Sequence, residues 1–197
     1  MKTQEHNRKL VDAFIACFPK LDEMMAHESL NPVAWQLSKG DADQYGFRRW
    51  RPLSCTTDRK ALEPLYAELP ARFPPTYEQL VLSYRWADVD LGLFKLVANP
   101  LGPDLSGLLT HLAGAPDLWE MLIPAGFIQF GKGPDMDFDP VCFDIRSRSR
   151  SGDYRIVKID HEGILCNYRV KIVDQLAPSF EQLIIDTIKR ADLIKAV

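Results

Sequence analysis

No stretch of this 197-residue chain reaches the ~20 consecutive apolar residues that a membrane-crossing helix needs. The opening segment, Met1 to Lys9, is polar and carries no apolar core of the kind a secretory signal has, so the expected location is cytoplasmic and no membrane partner is expected. Cysteine is sparse: four residues, at 17, 55, 142 and 166, with no close pair and no C-x-x-C. That spacing excludes a disulfide framework and a thiolate zinc knuckle. It predicts free thiols, buried where they fall in apolar patterns, as Cys17 and Cys142 do. Phosphate-cradling motifs are missing as well: there is no G-x-x-x-x-G-K-[ST] loop and no G-x-G-x-x-G after a strand. Nor is there an excess of positive charge. The net charge of −3 gives no general attraction to nucleic acid or to an anionic membrane.

What is present is an ordinary globular composition, 46% hydrophobic and 26% charged. A chain of this length can bury roughly 70% of its unfolded surface, so it needs no covalent staple. Leu10, Val11, Phe14, Ile15 and Phe18 recur at helical spacing up to Pro19, and that face needs a partner, either the main core or another chain. Gly40 to Pro52 shows neither helical nor strand period and reads as a connector. Residues 1–50 are therefore an N-terminal helical extension with its connector, and 51–197 the compact domain. Ala61 to Leu69 reads as a helix that starts or bends at Pro64. Thr76-Tyr-Glu-Gln79 reads as a capping box, followed by a face of Tyr77, Leu80, Val81 and Tyr84. Leu91 to Val97 has strand-like content, Leu101 to Gly114 reads as a loop with a short helix, and Pro116 to Leu122 as one or two helical turns.

Three apolar runs then predict strands: Ala125 to Phe130, Val141 to Ile145 and Ile156 to Glu162. A fourth is expected at Tyr168 to Val173. The last helix opens at Ser179, with Gln182 at the box position, and buries Phe180, Leu183, Ile184, Ile188 and Ala191. Helices, then consecutive strands, then a closing helix argue for an α+β fold with a largely antiparallel central sheet flanked by helices.

Several clusters invite a chemical reading. The run Asp135-Met-Asp-Phe-Asp139 fails as a calcium loop, because Pro140 stands where the turn needs Gly and Arg146 where a bidentate Glu belongs. Its carboxylates repel by about 1 kcal/mol per close pair even in water. The loop is either a solvated connection or a docking surface that offsets this repulsion with Lys132, a cation or a basic partner. In Asp160-His161-Glu162, strand alternation sets His161 on the apolar face of Val157 and Ile159, with both acids on the other face beside Lys158. Asp160 and Glu162 meeting Asp144 across a cleft would make a hydrolase of unknown substrate, the alternative reading. Zinc-protease spacing fails at Leu165, and Asp104 stands where a nucleophile elbow around Ser106 requires Gly. No catalytic, metal or cofactor site is expected. Arg48-Arg49-Trp50-Arg51 mixes cations with an aromatic, as nucleic-acid surfaces do, and Arg146, Arg148 and Arg150 alternate with Ser. Against an acidic whole both read as solvated or salt-bridged faces. Trp86, beside Tyr84 and Arg85, is an interface candidate or a core residue.

Five segments in order carry a resemblance: Leu69 to Leu80, Ala125 to Gly131, Asp139 to Asp144, Ile156 to Glu162, and Pro178 to Leu183. Together they resemble the SUKH superfamily, the domain type of the yeast Smi/Knr cell-wall regulator and of many bacterial immunity proteins. The resemblance spans roughly Ala61 to Ile188 and implies an α+β domain that acts by protein binding rather than catalysis. Its bacterial members typically sit beside polymorphic toxins and neutralise them by direct contact. The first sixty residues have no counterpart in that pattern, and Leu101 to Met121 looks like an elaboration. Family binding surfaces vary with the partner, so no residue role transfers by position. The residues expected to meet a protein partner are Trp86, Asp135, Asp137, Phe138 and Asp139.

Overall fold

The computed structural model describes residues 2–194. Apolar residues at helical spacing form α1 (Lys2–Ile15), which buries Val11 and Phe14 completely. The chain turns at Ala16 and Cys17 and resumes as the short α2 (Phe18–Leu21), with Pro19 in its first turn, where a missing N–H leaves nothing unpaired. Next come β1 (Met25–His27) and α3 (Pro32–Gln36), the latter capped by Asn31, whose side chain accepts from Ala34 N–H at 3.0 Å. Part of the segment expected to be a connector is a strand instead. Here β2 (Phe47–Arg49) pairs antiparallel with β1, Met25 facing Arg49. Trp50 continues that run into the core, bridging to Ser38. The pairing is non-local, so no periodicity within 40–52 announces it.

After β3 (Leu53–Ser54) and a 3-10 turn at Arg59–Leu62, α4 (Glu63–Glu68) starts at Glu63 with Pro64 in its first turn. The helix α5 (Pro75–Ser83) does not use the capping box: its N-cap is Pro74, Thr76 lies inside the first turn, and Gln79 donates to Ser83 Oγ at 2.6 Å. Pro75, with its φ preset for a helix, moves the start ahead of the threonine. Then β4 (Tyr84–Arg85) pairs with β3. The run expected as one strand is a hairpin of β5 (Val89–Asp90) and β6 (Lys95–Leu96). Gly92 at φ +74° supplies the left-handed turn, closed by Leu91 N–H to Phe94 O at 2.9 Å.

The rest comprises α6 (Ser106–Ala113), α7 (Pro116–Leu122), β7 (Phe127–Lys132), β8 (Pro140–Asp144), β9 (Arg155–Ile159), α8 (His161–Asn167), β10 (Ile172–Ala177) and α9 (Phe180–Ile194). Two strand expectations are corrected. β9 stops at Ile159 because Asp160 caps α8, accepting Gly163 N–H at 2.9 Å. The following strand begins at Ile172, not Tyr168, because Tyr168 is the left-handed C-cap of α8.

The fold is α+β, with a central antiparallel sheet ordered β10-β9-β8-β7-β6-β5. Alternation sends Ile128, Phe130, Val141, Phe143 and Ile156 to one face, where α5 and α9 cover them. Phe127, Cys142, Val157 and Ile159 go to the other, under α7 and α8. Every residue of β8 is buried, as expected for a strand with both faces covered. Phe130 and Phe143 stack at 4.2 Å, and Tyr77 and Phe180 meet that pair edge-on. The apolar face of α1 packs on α5 and α9, so Val11, Phe14 and Phe18 belong to the same core as the sheet.

Candidate partner-binding site

The loop from Gly133 to Asp139 joins β7 to β8 and closes on itself. Gly133 N–H donates to Asp139 O at 2.9 Å, Asp137 N–H to Pro134 O at 3.0 Å, and Asp139 N–H to Asp137 Oδ1 at 2.9 Å. Asp135 sits at φ +52°, and its N–H donates to Asp90 Oδ2 at 2.8 Å, tying the loop to the β5–β6 hairpin. From within the chain, the sequence pointed to Lys132 as the group that offsets the repulsion. The structure uses Lys158 and His161. Lys158 Nζ lies 2.8 Å from Asp137 Oδ2 and 4.0 Å from Asp139 Oδ2. Asp139 Oδ1 takes both the His161 backbone N–H at 3.0 Å and the His161 ring Nδ1 at 2.8 Å. Partial burial is the largest single influence on Asp137 and opposes its ionisation, but the Lys158 hydrogen bond, the Asp139 N–H and the Lys158 charge together outweigh it and hold this carboxyl below its ordinary pKa.

With its acids so engaged, the loop holds its apolar residues outward: Met136 is 79% exposed and Phe138 51%. Phe138 meets the His161 ring edge-on at 6.0 Å. From there the surface continues along α8 through Leu165 and Tyr168, both exposed. A cleft of about 500 Å³ opens between the loop, α8 and α7, lined among others by Phe138, His161, Leu165, Leu118 and Lys132. A smaller hollow of about 220 Å³ adjoins it, sharing Leu165 and adding Met121 and Tyr168. His161 faces this surface with Nδ1 committed to Asp139, so Nε2 is the ring atom left to meet a ligand.

Asp135, Asp137, Phe138 and Asp139 thus come together, but Trp86 does not join them. It is fully buried, and its Nε1 donates to Val97 O at 2.8 Å, so it belongs to the core and is closed to a partner. Searches against family models, curated proteins and solved structures find no match.

The carboxylates of the hydrolase reading are dispersed. Asp144 faces Arg155 at the start of β9, whereas Asp160 lies beyond that strand's end, five residues on and about 16 Å away at ~3.3 Å per residue. Asp144 is 1% exposed and bridged by Arg146 Nε at 2.7 Å and Arg155 Nη2 at 2.5 Å. Asp160 is a helix cap and Glu162 is exposed. His161 is not on the apolar face of a strand but in the first turn of α8, because β9 ends two residues earlier. Among the described residues no group of three His, Cys, Asp or Glu side chains is placed to hold a metal ion. Arg48 lies over the Trp35 ring at 4.0 Å and Trp50 is buried, so this cluster offers no exposed aromatic for base stacking.

Sequence reasoning missed Lys158, His161, Met136, Leu165 and Tyr168. Met136 stood within the acidic run and was readable as an apolar residue in a polar loop. The others reach the site only through the β8–β9 register and the turn into α8.

Proposed function

We propose that this protein is a protein-binding domain of the SUKH type, engaging its partner, in a bacterial setting a toxin, through the β7–β8 loop and α8. One observation carries the reading: Met136 and Phe138 are held out in solvent by a loop that is hydrogen-bonded at both ends and pinned by Lys158 and His161. Exposed apolar side chains on an ordered loop mark contact surfaces, and preorganisation lowers the entropic cost of docking. Asp135 and Glu162 are exposed beside this patch, which favours a partner surface with cations around an apolar socket. The order of the five resembling segments supports the class: they fall along α4–α5, β7, β8, β9–α8 and α9 in turn.

Co-expression with the product of the adjacent gene tests the proposal. The expected result is a complex that co-purifies and relieves growth inhibition. Its affinity should fall about 100-fold, some 2.8 kcal/mol, in the doubly exposed variant Met136→Asp/Phe138→Asp, with unchanged melting temperature. Unchanged binding by that variant, or turnover by the isolated protein that Asp144→Asn abolishes, would refute it.

A further inference from the structure

A second cleft, of about 710 Å³, lies between α2 and the end of β2 and shares no lining residue with the loop–α8 surface. Its size is that of a small-molecule site. Pro19, Leu21, Met24 and Pro52 give it apolar walls. Its charged rim follows from strand alternation. Trp50 turns into the core, so Arg49 and Arg51 fall together on the outer side, with Cα atoms about 6.6 Å apart. Both line the cleft and both are exposed. Their backbones are anchored: Arg49 pairs with Met25, Trp50 N–H donates to Met24 O at 2.9 Å, and Arg51 N–H to Leu37 O at 3.4 Å.

The acids nearby do not neutralise this pair. Asp22 spends one oxygen on Met24 N–H at 2.6 Å and the other on Asp90 N–H at 2.8 Å. Asp192 is engaged with Lys20, the third cation of the wall, at 3.0 Å. Asp22 and Glu23 both keep their negative charge on the lining, against Lys20, Arg49 and Arg51, so the wall carries one net positive charge. Met24, a buried non-glycine residue at φ +55°, is held in that unfavoured conformation at the cleft wall by the Asp22 and Trp50 hydrogen bonds. Neither guanidinium has an ion-pair partner among the described residues, whereas Arg146 and Arg155 are both paired to Asp144.

We propose that this cleft binds a small organic phosphate monoester with an apolar body, the phosphate clamped by Arg49 and Arg51 and the body lying on the proline, leucine and methionine wall. Two planar guanidinium forks match the several oxygens of a phosphate dianion better than a carboxylate would. Isothermal titration of the full chain at low salt with 1-naphthyl phosphate, 1-naphthol and inorganic phosphate tests head and body separately. The intact ester should bind at least about tenfold tighter than either fragment. Arg49→Gln/Arg51→Gln should lose about tenfold or more in affinity for the ester at unchanged melting temperature, with Arg51→Gln alone in between, while Lys132→Gln, in the other cleft, binds as wild type. No heat with 1-naphthyl phosphate, equal binding by the double variant, or loss confined to Lys132→Gln would overturn the assignment.

Discussion

Asp144 is a buried carboxylate that owes its charge to neighbours, Arg146 and Arg155, brought to it by a tight turn and a strand register. Burial alone would raise its pKa, yet the two guanidinium hydrogen bonds prevail and hold it below the ordinary value. A carboxyl depressed in the folded state adds stability that is fully present above its unfolded pKa of about 3.9 and is lost as pH falls through the folded value. Urea unfolding followed from pH 7 down to pH 2.5 should therefore show stability falling below about pH 4. Asp144→Asn should unfold about 2 kcal/mol more easily at pH 7, less than for a fully buried pair because both arginines reach solvent, and its acid-side decline should be shallower. Tyr77 makes the opposite case. Its hydroxyl is buried in the aromatic core with no hydrogen-bond partner among the described residues, and burial pushes its pKa up. Tyr77→Phe should raise stability by about 1 kcal/mol in the same assay. The acidic loop shows what single residues disclose. That its carboxylates needed an offset was readable from their spacing; that Lys158 and His161 provide it was not, because each is about twenty positions away in sequence.

Elements were legible where the chain carries its own boundary signals. The closing helix began at Ser179 as expected, with Ser179 Oγ accepting Gln182 N–H at 3.0 Å. The rest of its cap is supplied from a distance: Asp153 accepts Phe180 N–H at 3.0 Å and Glu181 N–H at 3.2 Å, besides Tyr154 N–H at 2.7 Å. Asp153→Ala should cost about 2 kcal/mol by chemical denaturation, since it orphans buried donors at the first turn of α9. Gly131 joins β7 to β6 so closely that an added Cβ would stand 2.7 Å from Lys95 O. Gly131→Ala should therefore destabilise by about 2 kcal/mol, through displacement of the β5–β6 hairpin. Misreadings cluster where two local signals compete. Thr76 lost the cap to the prolines before it, Gly92 split an apolar run into a hairpin, and Asp160 ended β9 by capping α8.

Across the whole molecule, one core joins α1 and α2 to the sheet, through α5 and α9. Calorimetry should show a single unfolding transition, with Phe14→Ala lowering stability by about 3 kcal/mol without splitting it. A separate low-temperature transition for the N-terminal helices would contradict that shared core. The sequence by itself determined the fold class, the strands β7 and β8, the closing helix and the acidic loop, because alternation, helical spacing and caps act over a few residues. Only the tertiary structure decided what the charges do and which aromatics face solvent. Trp86 went to the core, Asp144 to two arginines and His161 to Asp139, because burial and ion pairing depend on strand register and helix docking between residues far apart in the chain.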